Sequence, residues 1–311
     1  MAVGILLGPQ RLAPTVGDEL ENLGVSGPVA TITAGWQERE AEDQELEQAL
    51  KVKTHNLNLY ARCEEVFRED RSLFREHRQK QDRLRHLQDL YRVRLEYTLG
   101  AARKLQEVRL PTDLVNLHFD SAILAIRALD EEHIRLTTEV RNEFEDRVQP
   151  WTRPHLAKQI REVLDILNNC NAIAISGGNV VTLLNRLRLF HIAAELRQKP
   201  ILAWSAGSMA LSDRIVLFHD HPPQGPGNAE VLDRGLGFFH NVVLLPHAKR
   251  RLNLDDKRRV LLFSRRFAPA ACVAMNERCR IAFDGRRATA GADTLQLQQD
   301  GTLGPLEPSC L

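Results

Sequence analysis

The chain has 311 residues, 43% hydrophobic and 27% charged, with a formal net charge of +1. This is the make-up of an ordinary globular protein with enough chain to bury a full core, and the balanced charge gives no whole-chain attraction to nucleic acid or to anionic membranes. No apolar run approaches the ~20 residues of a membrane-spanning helix, and the opening MAVGILLGPQ lacks the basic and long apolar regions of a signal peptide, so a soluble cytoplasmic protein is expected.

Two short apolar runs come first. Val3 to Leu7 is followed by Gly-Pro, and Val29 to Thr33 by Ala-Gly-Trp. Both read as buried strands ending in turns. The next segment, EREAEDQELEQAL, has helical composition.

Residues 55–149 are dense in Glu, Arg, Gln and Leu and nearly free of Gly and Pro. Leu84, Leu87, Tyr91, Leu95 and Thr98 recur at steps of three and four, the face of an amphipathic helix. Gly100 weakens the pattern and Pro111 breaks it. It resumes from Leu114 to Val148 with Leu117, Ile123, Ile126, Leu129, Ile134 and Val140. Two or three long helices joined near 109–112 are predicted, packed on themselves or on a partner. Acidic residues interleave with the arginines, which spoils a nucleic-acid-binding stripe.

From residue 151 strand and helix patterns alternate. Leu156 to Leu167 reads as helix, Ala172 to Ile175 as a buried strand, Val180 to Leu196 as helix, and Ile201 to Trp204 as the next strand. Ile215 to Phe218, Val242 to Leu245 and Cys272 to Met275 are further strand candidates, and Asp255 to Phe263 reads as helix. Ile281 to Phe283, Asp284-Gly285, Thr294 to Leu297 and Asp300-Gly301 read as antiparallel strands with tight turns. The alternation predicts an α/β fold with a doubly wound, mostly parallel sheet. The expected organisation is one α/β domain of residues 1–54 and 150–311, with 55–149 as a long all-helical insertion.

Functional groups gather at the carboxyl ends of strands in such a sheet. One end carries Ser176-Gly177-Gly178-Asn179 and another Ser205-Ala206-Gly207. A serine hydroxyl needs a base, a group to orient that base, and donors for the developing oxyanion. A sharp strand-to-helix turn at Ser205 would present the hydroxyl and the N–H of Ala206 together, and small neighbours are what so tight a turn tolerates. Gly178 is the candidate for a second N–H. Among eleven histidines, His247 follows the strand-like VVLLP, and Glu277 follows the strand-like ACVAM. Ser, His and Glu thus fall at three strand ends in that order. The loop FHDHPPQGPGN sets His219 and His221 about Asp220, but no third ligand has firm spacing, so no metal is expected. The five cysteines (Cys63, Cys170, Cys272, Cys279 and Cys310) form no CxxC pair and are expected to be free thiols.

The segments AIAISGGNVVTLL, ILAWSAGSMAL, GLGFFHNVVLLPH and ACVAMNERCRIAFDG, in that order, resemble the motifs of the peptidase E (aspartyl dipeptidase) and cyanophycinase family of serine peptidases, whose fold is similar to that of class I glutamine amidotransferases. The likeness is close over 151–290 and loose over 1–50. It implies that Ser205 is the nucleophile, His247 the base and Glu277 the acid that orients it, with Gly178 and Ala206 as the oxyanion hole and no cofactor. Asn179, Arg251 and Arg259 are the substrate-binding candidates, and the substrate a small peptide or isopeptide. The sequence departs from the family pattern at Ala203, where a glycine is usual, and near Asp256, where the aspartyl dipeptidases carry an arginine. The helical region has no counterpart in the compact dipeptidases, and homo-oligomerisation through it is a further expectation. A glutamine amidotransferase would need cysteine at position 205. A non-catalytic sensor or scaffold working through its helices would have no use for the three strand-end residues.

Overall fold

The computed structural model describes residues 3–220, 227–284 and 287–307. The first strand, β1 (Gly4–Leu7), leads to α1 (Val16–Asn22), β2 (Val29–Ile32), α2 (Gln44–Leu50) and β3 (Thr54–Asn56). Three helices follow: α3 (Leu59–Glu69), α4 (Arg71–Leu105) and α5 (Thr112–Val148). After α6 (Pro154–Asn168) come β4 (Ala172–Ile175), α7 (Val180–Leu189), α8 (Ala193–Leu196), β5 (Ile201–Trp204) and α9 (Ala206–Leu211). The next elements are β6 (Ile215–Leu217), β7 (Glu230–Asp233), β8 (Val242–Pro246), α10 (Ala248–Arg251), α11 (Lys257–Phe267) and β9 (Ala271–Met275). The chain ends in β10 (Arg280–Phe283), β11 (Ala288–Ala290), β12 (Leu295–Leu297) and β13 (Leu303–Pro305).

The central sheet has the order β11-β10-β1-β5-β4-β2-β3. From β1 to β3 all neighbours run parallel, and β10 and β11 add an antiparallel edge. The central strands GILL, VATI, AIAI and ILAW are buried at every position. Such unbroken apolar runs are what a parallel sheet covered on both faces requires. Helices α1 and α2 cover one face; α3, α6, α7 and α9 cover the other.

The predicted α/β class holds, but the strands do not form one sheet. β8 and β9 pair in parallel within a second sheet, β13-β12-β9-β8, and β6 and β7 form a separate ribbon. Sequence periodicity gives strand positions and not strand partners, so this division was invisible to it. The strands β3 (THN), β7 (EVLD), β11 (ATA) and β13 (LGP) were also missed, because none is an unbroken apolar run. The helix expected over 180–196 is two helices, because His191 takes a left-handed backbone (φ 52°) between them. The turn residue Gly285 lies outside the described residues.

Helices α4 and α5 form an antiparallel hairpin joined by residues 106–111. Asp70 caps α4 by accepting a hydrogen bond from the Leu73 N–H. Gly100 does not interrupt α4: a side chain there would meet nothing within 4 Å, and the ~1 kcal/mol helix penalty of glycine is absorbed by a 35-residue helix. The inner faces, Tyr91, Leu95 and Leu99 on α4 and Phe119, Ile123 and Ile126 on α5, share one core with the second sheet and α11.

A buried ionic cluster fastens this junction. Arg266 on α11 donates to both carboxylate oxygens of Asp130 on α5, each at 2.7 Å, to the Tyr91 hydroxyl on α4 at 2.8 Å and to the Ala229 carbonyl at 2.7 Å. Tyr91 donates in turn to Asp130 and accepts from the Val231 N–H. Asp130 is fully buried and Arg266 nearly so. Charges removed from water in this way are tolerated only when fully paired.

The described cysteines Cys63, Cys170, Cys272 and Cys279 are buried free thiols. Burial pushes the Cys63 and Cys272 thiols up to about 12; Cys310 lies outside the described residues. No described helix is long and apolar enough to cross a membrane.

Asp130→Ala leaves the Arg266 guanidinium buried without its carboxylate and is expected to cost about 3–5 kcal/mol in urea unfolding. The paired change Asp130→Leu with Arg266→Met is expected to recover most of that loss. A single-variant loss below ~1 kcal/mol would contradict this account of the junction.

Candidate active site

Three backbone turns meet at the carboxyl ends of β2, β4 and β5. Ser205 leaves β5 with φ 51° and ψ −119°, and α9 begins at the next residue. A non-glycine residue in this half of the map carries roughly 1–3 kcal/mol of strain, held by the surrounding packing. The packing is close on every side. A Cβ on Gly177 would lie 3.0 Å from the Ser205 Cβ. On Gly207 it would lie 2.4 Å from the Ile175 carbonyl oxygen, so the first turn of α9 presses on the end of β4. The small residues around Ser205 in the sequence are small for this reason.

Gly178 has φ +111°, and a Cβ there would come within 2.3 Å of the Gly35 oxygen. The Asn179 N–H donates to that same oxygen at 2.7 Å. Gly35 is itself pressed on the Gly177 oxygen. The turn after β2 therefore props the Gly177-Gly178 turn, which in turn supports Ser205. Gln37, at φ 60° and ψ −125°, ties the same turn to α7 through its Nε2 and the Thr182 hydroxyl. Sequence reading noted Ala34-Gly35-Trp36 only as a turn; its signal was the same as that of Gly177-Gly178, a glycine at a parallel-strand end.

His247 leaves β8 with a left-handed backbone (φ 58°, ψ 34°) and donates its N–H to the Met275 carbonyl at 2.9 Å. It occupies the N-cap position of α10 but does not cap it. Asn276 does so from the end of β9: its Oδ1 accepts the Lys249 N–H at 2.9 Å. The turn bearing His247 is thus held by two bonds from the neighbouring strand end. Asn276 was not picked out in the sequence, where its position beside Glu277 was its only mark.

Ser205 and His247 line a single cleft of about 1310 Å³, together with Gly178, Ala206, Trp204 and Arg251. Their side chains share this cleft without a direct hydrogen bond; catalytic contacts of this kind often tighten only when substrate binds. Burial, then the positive charges of Arg251 and Arg250, lower the His247 pKa below its usual value, and the charge of Glu277 opposes them. The imidazole is accordingly neutral at pH 7 and able to accept a proton. Glu277 is partly buried in the turn after β9, outside the cleft lining but within electrostatic reach of His247.

The substrate-binding candidates separate. Arg251 lines the cleft, with its guanidinium 6.0 Å from the centre of the Phe218 ring. It has no carboxylate partner among the described residues, and burial lowers its pKa. Arg259 is held in a two-pronged ion pair by Asp220, whose N–H donates to the Arg251 carbonyl and whose carboxylate accepts from the Asn253 N–H. Asn179 caps α7 by accepting from the Thr182 N–H and does not line the cleft. His219 lines the cleft, while His221 lies outside the described residues. Among the described residues no group of three or more His, Cys, Asp or Glu is arranged to hold a metal ion.

The sequence model described as peptidase family S51 matches residues 128–291, a span that contains Gly178, Ser205, Ala206, His247, Arg251 and Glu277. The match begins within α5 and leaves out β1 to β3 and α4. No curated protein matches the chain.

The electrostatics around His247 predict an imidazole titration with a midpoint below 6.5, followed by NMR. Arg251→Ala removes a positive neighbour and is expected to raise the midpoint; Glu277→Gln removes the opposing negative charge and is expected to lower it. A wild-type midpoint above 7 would contradict this reading.

Proposed function

The chain belongs to peptidase family S51, a family of serine-type peptidases, and from that premise we propose that it hydrolyses a peptide or isopeptide bond through Ser205, His247 and Glu277, as a dipeptidase or cyanophycinase does. The observation that carries this reading is the strained turn at Ser205 opening into the cleft that His247 also lines.

The steps follow from the chemistry of these groups. His247 takes the Ser205 hydroxyl proton as the oxygen attacks the scissile carbonyl. The negative charge that develops on the carbonyl oxygen is met by the N–H groups of Gly178 and Ala206. His247, now protonated and stabilised by the charge of Glu277, gives its proton to the leaving amine. Water then attacks the acyl-enzyme with His247 again as base.

Arg251 stands on the cleft wall without a carboxylate partner among the described residues, so a carboxylate on the substrate is its natural partner. The proposed substrate is thus a small peptide or isopeptide carrying an acidic group near the scissile bond. Asn179 and Arg259 act indirectly in this reading. Asn179 fixes the start of α7, and Arg259 holds Asp220, which holds the backbone at Arg251 and Asn253. A cytoplasmic site of action belongs to the same proposal and is supported by the free thiols.

Ser205→Ala is expected to lower kcat on acid-bearing peptides by at least ~10⁴-fold with an unchanged circular dichroism spectrum. Activity within tenfold of wild type would overturn the assignment. The wild-type kcat/KM is expected to rise with pH through the His247 midpoint, since the base must be unprotonated. Arg251→Ala is expected to raise KM on acid-bearing peptides about tenfold or more while leaving neutral peptides little changed.

A further inference from the structure

The described residues expose nine large apolar side chains, and seven of them lie between Leu90 and Leu124 on the α4–α5 hairpin. Leu90, Val93 and Tyr97 recur at steps of three and four on α4; Leu114, Leu117 and Leu124 recur at three and seven on α5; Leu110 sits in the joining turn. These side chains are 49–77% exposed. At 100° per residue each stripe lies about 170° around its helix from the buried stripe. The exposed pairs Arg83–Glu143 and Arg94–Glu132 run along the seam between the helices. The same helical arithmetic sets both apolar stripes beside that seam, on the one face of the hairpin turned away from the rest of the protein.

A concentration of exposed apolar side chains is the mark of a covered surface. From the level of Leu90 to the tip this face is roughly 30 Å long and 20 Å wide. With its charged margins it approaches the ~800 Å² per partner of a standard interface.

Charge identifies the occupant. Helix α4 carries ten Lys or Arg against four Asp or Glu, and α5 carries four against nine. From the level of Leu90 to the tip the imbalance persists, four against one on α4 over 90–105 and two against five on α5 over 112–136, so one basic and one acidic helix lie side by side, a poor match for nucleic acid or an anionic membrane and a good match for itself. We propose that a second copy of this chain docks here, through a twofold axis parallel to the helices, which sets α4 of each copy antiparallel on α5 of the other as a four-helix bundle. A twofold axis across the helices, in the plane of the face, would instead set basic α4 on basic α4. An axis along the helices preserves level along the bundle. The Arg94–Glu132 pair fixes that level, so Tyr97 of one copy meets the exposed Ala128 of the other. Ala125 and Ala128 leave space into which the large Tyr97 ring fits, a knob-into-hole contact. The inference rests on the hairpin alone and stands independently of the peptidase reading.

Sedimentation of the full chain tests it first. Wild type is expected to be dimeric at tens of micromolar, and Tyr97→Asp with Leu117→Asp, both at exposed positions, is expected to be monomeric with an unchanged circular dichroism spectrum. Cross-linking tests the arrangement. In a Cys310→Ser background, Tyr97→Cys mixed with Ala128→Cys is expected to give an inter-copy disulfide on mild oxidation, and Tyr97→Cys alone to give none. A wild-type monomer at 100 µM, a dimer indifferent to the Asp substitutions, or a disulfide between two copies of Tyr97→Cys would overturn the proposal.

Discussion

The direct stacking of backbone on backbone at the ends of β2, β4 and β5 is the constraint on which the site depends. Gly35, Gly177 and Gly178 leave no room for a Cβ between these turns. Only that absence lets the parallel strands bring their ends together and hold Ser205 in a conformation a free serine avoids. The strain at Ser205 is small beside the packing of a fully buried strand and a fully buried α9. The turn also sets Ser205 and Ala206 side by side on the cleft wall. The His247 turn is built on a different principle. It belongs to another sheet and is held by hydrogen bonds from the end of β9 instead of by glycine contacts.

Two ionic arrangements stabilise the frame around the cleft. The Arg266–Asp130–Tyr91 cluster locks the helical hairpin to α11 and to the backbone at Ala229 and Val231. The Arg259–Asp220 pair braces the segment after α10 and so the backbone that carries Arg251. In both, the charged groups satisfy one another. Arg251 differs in lining the cleft without such a partner among the described residues, the basis on which it and not Arg259 is proposed to meet substrate.

The sequence was informative where chemistry and strand ends coincide. Strands β4 and β5 were read at their observed limits because AIAI and ILAW are apolar runs bounded by small or turn-forming residues. The gathering of Ser205, His247, Gly178 and Ala206 in one cleft followed from one rule about parallel strand ends, and Ala203, the departure in that motif, lies wholly within the buried strand. Gly35 carried the same strand-end signal, but its partners are residues more than a hundred positions away, so its role as a prop could not be read locally. Asn276 acts across a strand pair, and no local pattern encodes that contact. The same limit hid the second sheet. Arg251 and Arg259 were equal candidates in the sequence, yet the fold gives Arg251 to the cleft and Arg259 to Asp220.

The central claim is that the turn at Ser205 and the imidazole of His247 make an activated serine. Intact-mass measurement after incubation with a fluorophosphonate tests it most directly. The account predicts one adduct on the wild-type chain and none on Ser205→Ala. A folded wild-type protein that takes up no reagent, or an adduct that persists in the variant, would contradict it.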